Sequence, residues 1–173
     1  MLRPDGIPGT TNGMQTFRAP WGTALRLVSA FTTLLLLGIA AGLASTDDPV
    51  KSLVALGSIA ILAIAGLFTV RGYTVAPDAL LIRRLAWTTR VPLAGLQSVR
   101  FEPDVMTRSI RLFGNGGLYS FTGVFRNRQL GRYRAFVTDL HRTVVLCFPG
   151  RTMVVSPADP PAFVEELRPL AGR

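Results

Sequence analysis

Two long runs without a charged residue dominate the pattern of hydrophobic and polar positions in the first half of the chain. Residues 27–43 form an uncharged run of 17 residues, and residues 53–70 form a second run of 18. At about 1.5 Å of rise per helical residue, each run extends roughly 26 Å, close to the thickness of a bilayer core once the weakly polar flanks are added. The pattern predicts two transmembrane helices, at about residues 24–44 and 52–70, within a membrane region of residues 21–71.

The short connection between the two runs sets the expected topology. Only the segment ASTDDPVK separates them, so a helical hairpin with both chain ends on one side is predicted. Arginines flank the hairpin at those ends, whereas the connection has Lys51 beside Asp47 and Asp48. The positive-inside rule then places both termini in the cytoplasm of a multi-pass inner-membrane protein. The alternative is a signal peptide with residues 27–39 as its apolar region, but the second apolar run and the long amino tail argue against it.

A G-x-x-x-G spacing lies in the first run, at Gly38 and Gly42. Such a spacing lets two helix backbones approach closely, so it predicts helix packing within the hairpin or in a homodimer. In a segment so rich in glycine and alanine, the motif also arises by chance.

The first 20 residues have little apolar surface to bury. They include three prolines and three glycines among polar residues. This composition predicts a disordered tail over residues 1–20.

Short apolar runs separated by turn residues follow the second apolar segment. YTVAPDALLIRRL places two such runs around Pro77 and Asp78, and VPLAG, NRQLG and PGR indicate further turns. Six to eight short strands with no helical period between them are typical of an antiparallel β structure.

The end of the chain predicts one amphipathic helix. Asp159 is positioned to cap it and Pro160 to occupy its first turn, while Phe163, Leu167 and Leu170 form one apolar stripe. The expected fold class is therefore an α+β membrane protein, in which a two-helix transmembrane hairpin precedes an antiparallel β domain, residues 72–173, with one C-terminal helix.

These segments together resemble the bacterial pleckstrin-homology-like (PH-like) domain proteins. The resemblance covers about residues 72–168 and is most specific in GNGGLYSFTGVFRNRQLGRYRAFVTD and SPADPPAFVEEL. It implies a bent seven-stranded β-sandwich or partial barrel capped by a C-terminal helix, in a membrane-tethered module of undefined activity. It supplies no catalytic residue.

The glycine-rich stretch RLFGNGGLYSFTGVFRNR was compared with the phosphate-binding loops. Gly114 and Gly116 fit the first part of G-x-G-x-x-G, but Tyr119 occupies the third glycine position, and no Walker-type Gly-Lys-Ser or Gly-Lys-Thr follows. The glycines are instead interpreted as backbone geometry, with Gly114, Gly116 and Gly117 in a turn and Gly123 at a bulge or a close backbone approach.

Residues for catalysis or metal binding are few in this domain. It has no lysine, and His141 and Cys147 are the single histidine and cysteine of the chain. The flanking VVLCF predicts a core position for Cys147, so a Cys-His enzyme is the least favoured alternative. No cofactor and no metal site are predicted.

Positive charge is the remaining functional signal. From residue 71 onward the chain has fifteen arginines and seven acidic residues, a net charge of +8. Four of the arginines crowd around one predicted hairpin loop: Arg126, Arg128, Arg132 and Arg134. Near an anionic leaflet each would gain on the order of 1 kcal/mol. A solvated face in a protein that uses arginine as its basic residue is the plain alternative.

The function expected from the sequence is a non-enzymatic membrane-anchored interaction module on the cytoplasmic face. Its ligand would be a protein partner or the anionic lipid surface, and the chain could form a homodimer. The alternative is binding of nucleic acid or another polyanion by the arginine-rich face, against which membrane tethering argues. The short, acidic APD loop of the first hairpin counts against a phosphoinositide pocket of the kind found in eukaryotic PH domains.

Overall fold

The computed structural model describes residues 14–44 and 48–172. Within them are ten strands and three α-helices, connected by short turns. In chain order they are β1 (Gln15–Arg18), α1 (Thr23–Leu43), α2 (Pro49–Leu67), β2 (Val70–Val75), β3 (Ala79–Arg84), β4 (Thr88–Pro92), β5 (Ser98–Phe101), β6 (Ile110–Gly116), β7 (Phe121–Asn127), β8 (Gly131–Val137), β9 (Val144–Phe148), β10 (Arg151–Val155) and α3 (Pro160–Leu167).

The strands form two sheets that do not close into a barrel. Sheet A has the order β1-β2-β3-β4, and sheet B has the order β5-β9-β10-β8-β7-β6. The expected turns are present, but nine strands follow α2, more than the six to eight predicted and the seven that the resemblance implies. The prediction of antiparallel pairing holds for every described strand pair except β10 with β8, which is parallel. The parallel pair arises because β10 turns back from β9 and inserts between β9 and β8.

The main core lies between the two sheets and beneath α3. Tyr73 of β2 is fully buried there, and its hydroxyl donates a hydrogen bond of 2.6 Å to the carbonyl of Phe136 in β8. The same hydroxyl accepts a hydrogen bond of 3.1 Å from the backbone N–H of Ser156. Burial raises the pKa of Tyr73 to about 12, so the phenol stays protonated and continues to join the sheets through the neutral range.

Sheet B is also covered on its other face. Phe125, Tyr133 and Val145 pack there against Val105 and Met106, which belong to the segment between β5 and β6. The sheet is therefore buried on two sides over much of its width.

Helix α3 closes the core as the sequence predicts. The side chain of Asp159 accepts a hydrogen bond of 3.1 Å from the backbone N–H of Ala162, and Pro160 occupies the first turn. Phe163 and Leu167 are fully buried, while Leu170 packs at the margin of the core from a 3₁₀ turn, Arg168–Leu170.

Strand β1 corrects the prediction of a disordered tail over residues 1–20. Residues 1–13 lie outside the described part of the chain, but Gln15–Arg18 pairs in antiparallel register with β2. Phe17 enters the main core, where its ring meets that of Phe163 edge to face at a centroid distance of 5.1 Å. The backbones of β1 and β2 approach closely at Gly72, where a Cβ would lie 2.7 Å from the carbonyl oxygen of Phe17. The pairing of the two strands therefore favours glycine at this position.

Helices α1 and α2 form an antiparallel hairpin that leaves sheet A after β1 and returns to it at β2. Both are long and apolar enough to cross a membrane, and only 17% of each apolar window is buried in the protein. Asp48 caps α2 by accepting a hydrogen bond of 2.9 Å from the backbone N–H of Val50. The predicted spans are close to the observed helices, although α2 begins three residues earlier and ends before β2.

The two glycines of the G-x-x-x-G motif do not pack against α2. A Cβ placed on Gly38 or Gly42 would find open space, with no atom within 4 Å. Of the alternatives left open for this motif, contact within the hairpin is therefore not seen, and packing of Gly38 and Gly42 in a homodimer stays a prediction.

We expect Phe17→Ala to lower the free energy of unfolding by roughly 3 to 5 kcal/mol, because it removes a buried aromatic ring from the main core. Denaturant unfolding of the full chain in detergent micelles, followed by fluorescence, measures the change. Met14→Ala is the control, since Met14 is exposed next to the same strand and should alter stability little. Equal stability of the two variants would mean that β1 contributes nothing to the core.

Candidate functional site at the junction of helices and domain

The glycine-rich stretch forms the β6–β7 hairpin, whose two strands approach unusually closely. Gly114 pairs with Gly123, and both have positive φ, 104° and 145°. A Cβ on Gly123 would lie 2.1 Å from the carbonyl oxygen of Phe113, so no larger residue fits at this position.

This geometry confirms the interpretation of Gly123 as a close approach and revises that of its neighbours. Gly114 serves the same approach within β6 instead of a turn, and Gly116 ends the strand without positive φ. The turn depends on Gly117, with φ of 127°, and on Tyr119, with φ of 63°.

The β6–β7 turn rests against α1 through a buried serine. The hydroxyl of Ser29 donates to the carbonyl of Gly117 at 3.3 Å and accepts from the backbone N–H of Tyr119 at 2.9 Å. One helical turn further, the Thr33 and Tyr119 hydroxyls lie 2.8 Å apart in a hydrogen bond. Ser29 and Thr33 lie roughly 9 and 15 Å along α1 from its first residue, so the turn extends beside the helix.

Aromatic rings and a backbone contact complete the junction. Trp21, just before α1, lies over the ring of Tyr119 at a centroid distance of 6.0 Å. Ser120 donates to the carbonyl of Phe68 at the end of α2, at 3.3 Å. The hairpin therefore contacts both helices where they join the domain.

Sequence reasoning missed this junction, although a signal for it was present. Ser29 and Thr33 are polar, lie four residues apart in a run without a charged residue, and so share one helix face. A polar pair on one face of an apolar helix indicates a hydrogen-bonding partner, which the sequence could not identify as the distant turn.

Large apolar side chains of β6 are exposed beside the junction. Phe113 is 78% exposed and Ile110 71%, and Leu112 is also exposed, at the β-bulge. Because β6 is an edge strand of sheet B, these side chains and its free backbone edge form an unprotected apolar border.

A cleft of about 710 Å³ separates the end of α2 from sheet B. Ile61, Ile64 and Phe68 of α2 line one side of it. Arg84, Arg111 and Arg134 line it as well, and of the described residues that border the cleft none is acidic.

The guanidinium group of Arg84 is enclosed by aromatic rings in this cleft. It lies 5.4 Å from the ring centroid of Phe68, 5.2 Å from that of Trp87 and 5.1 Å from that of Phe136. The guanidinium of Arg134 lies 5.1 Å from the same Phe136 ring. Burial lowers the pKa of Arg84 below its ordinary value, and the charge of Arg134 lowers it further.

The four arginines predicted as an anionic-surface site extend from the β7–β8 loop along β8 to the cleft. Arg126 and Arg132 face each other across β7 and β8, and Arg128 lies in the loop beyond them. Arg134 is in the cleft beside α2. The predicted strand faces are correct, since Tyr133 and Ala135 point into the core whereas Arg132 and Arg134 are exposed.

The β7–β8 loop lies at the opposite end of β7 from the turn that contacts α1, roughly 20 Å along the strand. Beside this loop is a groove of about 1140 Å³, which we call the distal groove. It is bordered by Arg108, Arg126 and Arg128 and by the acidic residues Glu102 and Asp104.

Both acidic residues of the distal groove already have partners. Glu102 binds Arg100 at 3.2 Å and accepts a hydrogen bond from Gln129 at 2.8 Å. Asp104 lies 2.6 Å from Nδ1 of His141. No salt bridge of Arg108, Arg126 or Arg128 is found within the described residues, so the groove presents unpaired positive charge.

The structure gives no support to a Cys147–His141 pair. His141 lies in a 3₁₀ turn before β9, exposed and paired with Asp104, whereas Cys147 is near the other end of β9 and packs against the core of Phe125 and Tyr133. These positions match the turn histidine and core cysteine expected from the sequence.

The domain that follows the helical hairpin is similar to a known protein family. The family model described as bacterial PH domain matches residues 71–171. No curated protein and no solved structure matches the chain.

We expect Ser29→Ala to destabilise the junction by about 1 to 3 kcal/mol, because the backbone N–H of Tyr119 would lose its partner in a buried place. Hydrogen exchange at residues 117–120 measures the effect as faster exchange. Ser58→Ala is the matched control: Ser58 is also buried in a helix, but its hydroxyl bonds only to the carbonyl of Val54 in the same helix. Unchanged exchange in Ser29→Ala would show that the contact does not hold the turn.

Proposed function

The chain belongs to the bacterial PH domain family, and on this basis we propose that it is a non-enzymatic, membrane-anchored interaction module. The helical hairpin spans the membrane and holds the PH domain against the cytoplasmic face. The observation that carries the proposal is the insertion of α1 and α2 between paired strands β1 and β2, which fixes both helix ends to the domain.

The exposed surface of the hairpin supports a place in the bilayer. Side chains such as Phe31, Leu34 and Leu53 are more than two-thirds exposed, so the hairpin is not the buried core of a soluble fold. An apolar surface of this extent is costly in water, whereas in lipid it is at no disadvantage. Trp21 and Trp87 lie where the helices meet the domain, the level at which tryptophan is enriched in membrane proteins.

The distribution of charge supports the orientation. Arg18 and Arg26 precede or begin α1, and Arg71 and Arg83 follow α2, whereas the far end of the hairpin has Lys51 paired with Asp48 at 3.9 Å. By the positive-inside rule, the domain and both termini lie in the cytoplasm.

The distal groove supports a protein as the partner of this module. Its arginines lack acidic partners, and its lining includes neither helix residues nor residues of the β6–β7 turn. The β7–β8 loop lies roughly 20 Å from the β6–β7 turn, which is more than two Debye lengths at physiological salt. At that distance, an anionic lipid surface at the level of the β6–β7 turn attracts the arginines of the β7–β8 loop only weakly. An acidic segment of a partner protein fits the unpaired charge of the groove.

The proposed topology predicts one-sided labelling of introduced cysteines. In a Cys147→Ala background, we expect Lys51→Cys to react with a membrane-impermeant maleimide. The maleimide is added to cells whose outer envelope has been removed and whose cytoplasmic membrane is closed. Glu166→Cys, an exposed position on α3, should react only after the membrane is opened. Carbonate extraction should leave both variants in the membrane fraction. Labelling of Glu166→Cys in closed cells would reverse the orientation, and release by carbonate would remove the anchor.

The distal groove predicts a charge-dependent contact in native membranes. A photo-crosslinking residue at exposed Gln129 should form a defined adduct, and the double variant Arg126→Gln, Arg128→Gln should lose most of it, roughly tenfold or more for two lost charge-assisted bonds. The same crosslinker at Glu166 is the positional control.

A second measurement distinguishes lipid from protein as the source of this contact. Hydrogen exchange of residues 127–131 is compared in nanodiscs of phosphatidylcholine with and without phosphatidylglycerol. We expect no protection from the anionic lipid. Salt-sensitive protection that disappears in the double variant would assign the groove to the lipid surface instead.

A further inference from the structure

Three arginines line the cleft between α2 and sheet B, and two of them, Arg84 and Arg134, lie against the same aromatic ring. Neither Arg84 nor Arg134 forms a salt bridge within the described residues, and the buried Nε of Arg84 has no hydrogen-bond partner there. Their guanidinium groups share one ring, that of Phe136, with each 5.1 Å from its centroid. Like charges so placed repel each other, and an unpaired buried donor costs stability.

An anion in the cleft would resolve both costs. Guanidinium groups bind phosphate oxygens through paired, charge-assisted hydrogen bonds, and two converging arginines suit one phosphate. The rings of Phe68, Trp87 and Phe136 hold the Arg84 guanidinium in place before any ligand arrives, so little side-chain freedom is lost on binding.

Apart from Arg111, Asn115 and Thr122, the rest of the cleft is apolar, and one of its walls belongs to a helix proposed to span the membrane. Ile61 and Ile64 line it from α2 and are each more than half exposed, and Phe113 lines it from the edge strand β6. From Phe68 back to Ile61 the helix rises roughly 10 Å, leading from the level of the arginines into the apolar span. A free inorganic anion would use only the charged end, whereas a phospholipid would use both.

We propose that this cleft binds one anionic phospholipid, with its headgroup phosphate between Arg84 and Arg134 and an acyl chain along Ile61 and Ile64. The proposal rests on the membrane anchoring proposed above and assigns that module a lipid site apart from the distal groove. It also differs in place from the first hairpin loop, which is short here and has Asp78 paired with Arg90.

The test measures lipid retained by the full chain. Protein reconstituted in equal mixtures of phosphatidylglycerol and phosphatidylcholine is returned to mild detergent, and bound lipid is counted by native mass spectrometry. We expect one phosphatidylglycerol per wild-type chain. The double variant Arg84→Gln, Arg134→Gln should retain it roughly tenfold less or worse, since charge-assisted hydrogen bonds are lost.

A control pair removes the same charge elsewhere in the domain. Arg71→Gln with Arg83→Gln changes exposed positions on β2 and β3 outside the cleft lining and should retain lipid as the wild type does. Thermal unfolding establishes that both double variants are folded. Should Arg84→Gln, Arg134→Gln fail to fold, the single variant Arg84→Lys takes its place, because it keeps the charge, loses the fork and should retain less lipid.

Other outcomes would overturn the proposal in distinguishable ways. Equal loss in the two double variants would indicate general surface charge, and equal retention of phosphatidylcholine would indicate an apolar groove without headgroup recognition. Displacement of the lipid by millimolar inorganic phosphate alone would assign the cleft to the free anion. If the protein stays in carbonate-washed membranes but substitution of Arg84 and Arg134 does not change lipid retention, only the proposed lipid site is contradicted. Release of the protein from the membrane by carbonate would instead contradict the proposed function.

Discussion

The pairing of β1 with β2 is the constraint on which the arrangement of the molecule depends. These strands are neighbours in sheet A, yet the whole helical hairpin lies between them in sequence. Because antiparallel neighbours bring the end of one strand beside the start of the next, α1 must leave and α2 must return at one edge of the domain. The hairpin is thus attached at two points, and the domain cannot swing on a single linker.

Attachment at two points explains why the contacts at the junction are specific. With the helix ends fixed, the β6–β7 turn reaches Ser29 and Thr33 in a defined register, and Phe68 is presented to Arg84. The hydrogen bonds of Ser29 are buried or partly buried, so they are worth more than bonds at an open surface, and leaving such groups unpaired is costly. The junction and the cleft therefore arise from one geometric cause.

The features that could be predicted from sequence are the local ones. The apolar runs, the turn residues and the cap at Asp159 each depend on a few adjacent residues, and all were correctly located. Strand β1 was missed because its four residues carry almost no pattern of their own, and its stability comes from Phe17 meeting Phe163 at the other end of the chain. Pairing of β10 with β8 is likewise a choice between sheet partners that local sequence does not encode.

The candidate site shows the same division. The parity of Arg132 and Arg134 was predictable from the strand period, but the position of Arg134 in the cleft depends on where α2 ends. In the sequence, Arg84 is only one of the arginines that follow the second apolar run. Its enclosure by three rings requires residues from α2, the β3–β4 turn and β8 to meet, which no spacing along the chain reveals.

The position of β1 has a consequence for how the protein is made. On the ribosome Gln15–Arg18 emerges before α1 and α2, and its partner β2 is synthesised only after both helices. If the hairpin spans the membrane as proposed, sheet A can form only after α2 has crossed the membrane and brought β2 to the side on which β1 lies. A chain whose second helix failed to insert would leave the two strands on opposite sides, with Phe17 unable to reach the core. Pairing of β1 with β2 therefore requires correct insertion of both helices. In a chain with only one helix inserted, the edge of β2 that β1 normally covers would be exposed, and this edge distinguishes it from the native protein.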